Sequence, residues 1–176
     1  MNPFAALVDI ARRSQRAAKE LPAEKASQTH WTGIGFSLLD SRFVVDLNDV
    51  AELMRIPNLT GLPEVKLWVA GVANVRGRLL TILDLAAFFG QGSNVARSQR
   101  RILVVDRDEF YTGFLVDESL GMQYFPSDSF QPDPGEVDEK YHPFLTGSYL
   151  VAGAHWPVMN LVSFLQDSRF QNLAEG

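Results

Sequence analysis

Residues Val69 to Phe89 read VAGVANVRGRLLTILDLAAFF. The run opens apolar, bends at Asn74-Val75-Arg76-Gly77, resumes as Leu79-Leu80-Thr81-Ile82-Leu83 and changes period at Asp84. A block of large aliphatic and β-branched residues bounded by a glycine turn suits a buried strand. Asp84 suits an N-cap, because its carboxylate can accept from the free amides of the next turn. Leu85 to Phe89 then reads as a short helix, with Gly90 where a left-handed C-terminal residue is expected. The stretch predicts strand, Gly-Arg turn, strand and helical stub.

The pattern returns 76 residues later without a gap. That offset pairs Gly71 with Gly147, Gly77 with Gly153, Ile82 with Val158 and Leu83 with Met159. It also pairs Asp84 with Asn160, Leu85 with Leu161 and Phe88 with Phe164. Asp and Asn are both strong N-caps, so the exchange at that position makes physical sense. Two copies of one unit are the simplest account; chance similarity between apolar strands is the plain alternative.

Composition narrows the function classes. At 176 residues, 46% hydrophobic and 21% charged, the chain fits one folded domain or two small ones in contact. It has no cysteine, which excludes disulfides, thiolate metal sites and a cysteine nucleophile. A net charge of −5 argues against general nucleic-acid binding. No run approaches the ~18 apolar residues of a membrane-spanning helix, so no direct membrane insertion is expected. Asp9 interrupts the first apolar run, and Arg12, Arg13 and Arg16 follow it rather than precede it, unlike a signal peptide. A cytoplasmic location is expected.

Residues 2 to 21 read as an amphipathic helix. Asn2 can cap, Pro3 fits the first helical position, and Phe4, Leu7, Val8 and Ala11 form the apolar stripe. Arg12, Arg13, Arg16 and Lys19 gather toward its C-terminal end, where the helix dipole favours cations. A tail docked on its own domain is the plain account; a helix for a partner or a membrane surface is the other. Residues 22 to 30 are a polar linker, so residues 1 to 30 stand apart from the body.

Within the body, apolar runs on either side of Asp40-Ser41-Arg42 read as a hairpin, and Arg101 to Val116 repeat that logic around Asp108-Glu109. Val50 to Ile56 could be helix or strand. The Gly/Ser/Asn-rich residues 90 to 99 are expected to divide the chain near its middle. Residues 126 to 140 are expected to be a solvated acidic loop with a short helical turn at most, since their spacing does not match a calcium-binding loop. About ten short strands with glycine turns predict small β-barrels rather than alternating strands and helices.

Signs of an enzyme are few. Phosphate-cradling glycine motifs and a nucleophile elbow are absent. His30, His142 and His155 have no metal-ligand spacing, and His155 beside Trp156 reads as structural. Asp117 and Glu118 are neighbours, and strand neighbours face opposite ways, a poor acid/base dyad. A binding module is favoured, with no catalytic residue, cofactor or metal expected. Arg76 stands out, a guanidinium in a glycine-bounded turn amid apolar residues. It could brace the turn through backbone carbonyls, present a rigid fork to a partner, or both.

These residues resemble a known family. GVANVRGRLLTILDL is similar to the signature of the CheW-type chemotaxis adaptors. Val50-Ala51-Glu52-Leu53, Leu62-Pro63, Gly113-Phe114-Leu115-Val116-Asp117, Leu145-Thr146-Gly147 and Met159-Asn160-Leu161 resemble further family blocks in order. The resemblance covers residues 31 to 166 and leaves 167 to 176 as a tail. It implies a mainly β fold of two intertwined, five-stranded SH3-like barrels. It also implies a non-enzymatic adaptor between a methyl-accepting chemoreceptor tip and the regulatory domain of a CheA-type histidine kinase. Val50, Glu52, Leu53, Asn74 and Arg76 match the receptor-binding groove. Gly71, Gly77, Asp84, Gly113, Asp117, Gly147, Gly153 and Asn160 match turn and structural positions. The chain departs from the family at Glu118-Ser119, where Gly-Val is usual, at Thr81, where Pro is common, and in its N-terminal helix. Together these features resemble the PilI-like subgroup serving type IV pilus twitching motility. The alternative reading is a tandem β-barrel module for a small ligand or single-stranded nucleic acid. Residues 31 to 176, with 11 basic and 18 acidic residues, do not suit the basic grooves that nucleic-acid binding requires.

Overall fold

The central stretch forms the hairpin and stub its sequence predicts: strand β4 (Val69–Val75), strand β5 (Arg78–Asp84) and helix α1 (Leu85–Phe88), in a computed structural model that describes residues 29–171. The expected N-terminal helix lies outside those residues. The later copy forms β10 (Leu145–Val151), β11 (Ala154–Met159) and α2 (Leu161–Gln166). The correspondence extends to irregularities. Val69 pairs with Leu83 and Gly71 with Ile82 across a bulge, and Leu145 pairs with Met159 and Gly147 with Val158 across another. Both bulge glycines have positive φ, +144° and +152°, and a carbonyl approaches the Cβ position of each, Thr60 O at Gly71 and Gln131 O at Gly147. Both hairpins turn through two left-handed residues, Arg76-Gly77 and Ala152-Gly153, the turn whose twist matches flanking strands. Asp84 caps α1 by accepting from the amides of Ala86 and Ala87, and Asn160 caps α2 by accepting from Val162.

The remaining strands are β1 (His30–Leu38), β2 (Ser41–Asp46), β3 (Glu52–Arg55), β6 (Arg101–Arg107), β7 (Phe110–Val116), β8 (Glu118–Pro126) and β9 (Phe130–Gln131). They form two sheets, β8-β1-β2-β11-β10-β9 and β3-β6-β7-β5-β4. One plan serves both: a single strand, a hairpin, a parallel junction, and a second hairpin. The parallel junctions are β2 with β11 and β5 with β7. The first sheet has a sixth strand, one more than the five expected, because Phe130–Gln131 pairs with β10. The second sheet shows the same edge as an isolated bridge, Thr60 to Val72. The acidic loop is therefore more ordered than expected, with this strand and 3-10 turns at Ser127–Ser129 and Glu139–Phe144.

The sheets are not the two halves of the chain. Each takes its first hairpin from one half and its second from the other, β1–β2 with β10–β11 and β6–β7 with β4–β5. The single strands cross over too: β3 pairs with β6, and β8 pairs with β1. Residues 90 to 99 therefore run within one sheet's connectivity rather than divide two domains, and Ser93 is anchored to Asp117 at 2.6 Å.

Leu80, Ile82, Ile102, Val104 and Leu115 fill the interior of the five-stranded sheet, and Val44, Phe125, Tyr149 and Val158 that of the six-stranded one. Gly113 is needed in the first interior, since a Cβ there would meet Ile102 at 2.6 Å. The largest core lies between the sheets, joining Ile34, Phe36 and Phe43 to Leu83, Leu103 and Phe114 and to the helix residues Leu85, Phe88 and Phe164. It extends past Gln166 into α3 (Ser168–Gln171), whose Phe170 is buried against Phe88, 4.5 Å between ring centroids.

Candidate functional site

Arg76 sits at the tip of the β4–β5 hairpin in a left-handed conformation, φ +52°. Asn74 holds the turn, its Oδ1 accepting from the Gly77 amide at 2.9 Å. Freed from that duty, the Arg76 guanidinium reaches across to β3 and forks onto the Glu52 carboxylate, with Nη1 donating to Oε1 at 3.4 Å and Nη2 to Oε2. Of the two roles open from sequence, the carbonyl brace is not the one observed. The Arg76 side chain is 65% exposed while that of Glu52 is 14% exposed, so the fork is fixed on one side and open on the other. Glu52 raises the guanidinium pKa by hydrogen bonding and by its charge.

A second fork lies alongside. Arg78 donates to Asp106 at 2.6 and 3.3 Å and stacks 3.9 Å over the Tyr111 ring. Arg78 is exposed but held at both ends. The two arginines lace the hairpin tip to β3 and β6, across the mouth of the five-stranded sheet.

The apolar part of the site differs from expectation. Val50 is 3% exposed and belongs to the core between the sheets. It follows a 3-10 turn, Leu47–Asp49, that directs its side chain inward, so it seats β3 and does not line an open groove. Leu53 packs partly against the same core. Leu79, opposite Asn74 in the hairpin register, is 66% exposed. It lies on the strand face that carries Leu83 into the common core. Leu53, Leu79 and Asn74 thus border the inter-sheet side, with the Arg76–Glu52 fork at its rim. Leu79 lacked a signal in sequence because a Leu-Leu pair in a strand does not reveal which member points outward.

A buried cation was also missed. Arg100 donates to both oxygens of Asp84, at 2.8 and 3.2 Å, and to Val116 O at 3.4 Å. Its Nε lies 3.8 Å from the Asp117 carboxylate. Asp117, 4% exposed, also accepts from the Leu39 amide at 2.8 Å. Glu118, by contrast, faces solvent. These groups tie a helix cap, a strand end and the 90–99 segment together as a structural network.

No group of three or more His, Asp or Glu side chains suited to a metal occurs among the described residues. His155 bonds Ser148, Nδ1 to Oγ 3.0 Å, a packing contact. No helix among the described residues is long and apolar enough to cross a membrane.

Comparison with known proteins places this architecture. The chain is 44% identical to Protein PilI of Pseudomonas aeruginosa over 147 residues, 84% of this chain and 83% of that protein. It is 28% identical to Protein FrzA of Myxococcus xanthus over 142 residues, 79% and 88% of the two chains. The crystal structure of the scaffolding protein TtCheW from Thermoanaerobacter tengcongensis superposes with a TM-score of 0.66 at 24% identity, over 74% of this chain and 89% of that one. This match supports the mainly β fold. Residues 32–169 match the CheW-like domain model, and the chain belongs to the CheW-like family of chemosensory adaptors.

Proposed function

We propose that the chain is a non-enzymatic cytoplasmic adaptor. It couples methyl-accepting chemoreceptors to a CheA-type histidine kinase, in a chemosensory pathway that controls type IV pilus twitching motility. The observation that carries this reading is the Arg76–Glu52 fork, preset by an underlying turn and exposed on its outer side. A rigid, exposed guanidinium is the kind of anchor enriched in protein-binding hot spots. The relation to PilI supports the pilus output, and the TtCheW likeness supports a scaffold. Two sheets that share one core form a rigid body, which suits an adaptor that must hold two partners at fixed geometry. Individually weak contacts suffice when many copies act together.

The test is titration of the chain with a receptor-tip fragment and, separately, with the kinase regulatory domain. Arg76→Glu removes the fork and sets a second carboxylate against Glu52. Its receptor affinity should fall by on the order of tenfold or more, with circular dichroism and kinase binding unchanged. If the wild-type chain binds neither partner, the adaptor reading fails.

A further inference from the structure

The six-stranded sheet carries a cleft of about 350 Å³ at the start of β1. One wall is aromatic: Trp31 stacks on Tyr149, 4.8 Å between centroids, and Phe130 meets Tyr149 edge-on at 5.3 Å. The other carries two carboxylates, Asp46 and Asp49. Arg107 pairs with Asp49 at 2.8 Å, while neutral donors, the Trp31 indole and the Asn48 amide, bond Asp46. Among the described residues one cation thus faces two carboxylates, and the pKa of Asp49 is raised by burial and then by the Asp46 charge. Aromatic faces beside carboxylates are the surroundings that an arginine or lysine head group prefers.

The chain enters the described structure at this cleft, since Trp31 lines it and Thr29 lies two residues upstream. Of the preceding residues, Ile10 to Lys19 contain Arg12, Arg13, Arg16 and Lys19 and no acid, whereas residues 31 to 176 carry 11 basic and 18 acidic residues. Nine residues lie between Lys19 and Thr29, a span of up to ~35 Å. Tethering over that distance raises the local concentration of the segment to roughly millimolar.

We propose that this cleft is the docking site of the chain's own basic segment, Arg12 to Lys19, with one head group seated between the Trp31–Tyr149 wall and Asp46–Asp49. The occupant is tethered, so the site is intramolecular, and its lining includes neither Arg76 nor Glu52. It can therefore exist whether or not the receptor assignment holds.

The absence of cysteine from the chain allows a single spin label at Ser14→Cys in the full-length protein. Paramagnetic broadening should be strong at the Trp31 indole N–H and at the amides of Asp49 and Phe130, and weakest at the Leu39–Asp40 turn, the far end of the β1–β2 hairpin. Half-molar salt should reduce it, because surface ion pairing is screened. Changing Arg12, Arg13, Arg16 and Lys19 together to Glu in the labelled protein should abolish it. The proposal is overturned if Trp31 is no more broadened than the distant turn, or if broadening survives the charge reversal. It is also overturned if broadening appears only between labelled and isotope-enriched copies in a mixture, which would make the contact one between molecules.

Discussion

Replacing Arg100 with Met tests the network that ties the two halves together. The substitution keeps an apolar stem of similar reach and removes the only cation bonded to Asp84 and adjacent to Asp117 among the described residues. Breaking a buried pair from one side costs roughly 3–5 kcal/mol, because the remaining charge is left uncompensated. Two features place this case at the low end. Asp84 keeps the Ala86 and Ala87 amides and its side chain is 21% exposed, and Asp117 keeps the Leu39 amide and the Ser93 hydroxyl. The expected loss is about 3 kcal/mol, a fall of roughly 6–12 °C in melting temperature for a chain of this size. Urea unfolding followed by circular dichroism should show a lower midpoint at an unchanged slope. Adding Asp117→Asn should recover about 1 kcal/mol or more, since the amide oxygen still accepts from Leu39 and the stranded charge is gone. A loss below about 1 kcal/mol in the single variant, or strict additivity in the double, would refute the argument.

Two further outcomes follow from local geometry. Gly147→Ala should destabilise by roughly 2–4 kcal/mol, because its Cβ would fall 2.3 Å from Gln131 O and 2.6 Å from the Phe130 ring. Gly153→Ala, also at positive φ but with open space around its Cβ, should cost only about 1 kcal/mol; equal losses in chemical denaturation would remove crowding as the cause. Burial raises the Tyr141 and Tyr149 phenols to about 12 each. A raised folded-state pKa means the unfolded chain releases its proton first, so this contribution is intact below the ordinary value near 10 and is lost as pH rises toward 12. Unfolding free energy measured across that window should decline, and phenolate absorbance of the native protein should show two tyrosines ionising late. Full ionisation by pH 11 without unfolding would contradict this.

Much of the fold was legible because its signals are local. Alternation around Asp40-Ser41 and Asp108-Glu109 marked hairpins that exist, and Asp84 and Asn160 cap the helices that follow them. The repeat was legible down to its glycines, since a bulge and a left-handed turn demand them in both copies. Partner choice was not legible. A strand's pattern states which face is buried but not which edge it joins, so β3 on β6 and β8 on β1 could not be read, and residues 90 to 99 looked like a boundary. Val50 was misplaced for a similar reason: taken together with Glu52 and Leu53, it belongs instead to the end of the turn before them, where the chain points inward. Arg100 was invisible because a cation after a polar segment reads as solvated. Only the fold brings Asp84 and Asp117 to it.

The central claim is coupling, and the direct measurement is kinase autophosphorylation in a mixture of receptor fragments and CheA-type kinase, with and without this chain. The account predicts that kinase activity becomes receptor-dependent only when the chain is present, and that Arg76→Glu abolishes this dependence while still binding the kinase. Kinase activity that responds equally to receptor with the chain omitted, or that never responds with it present, would contradict the account.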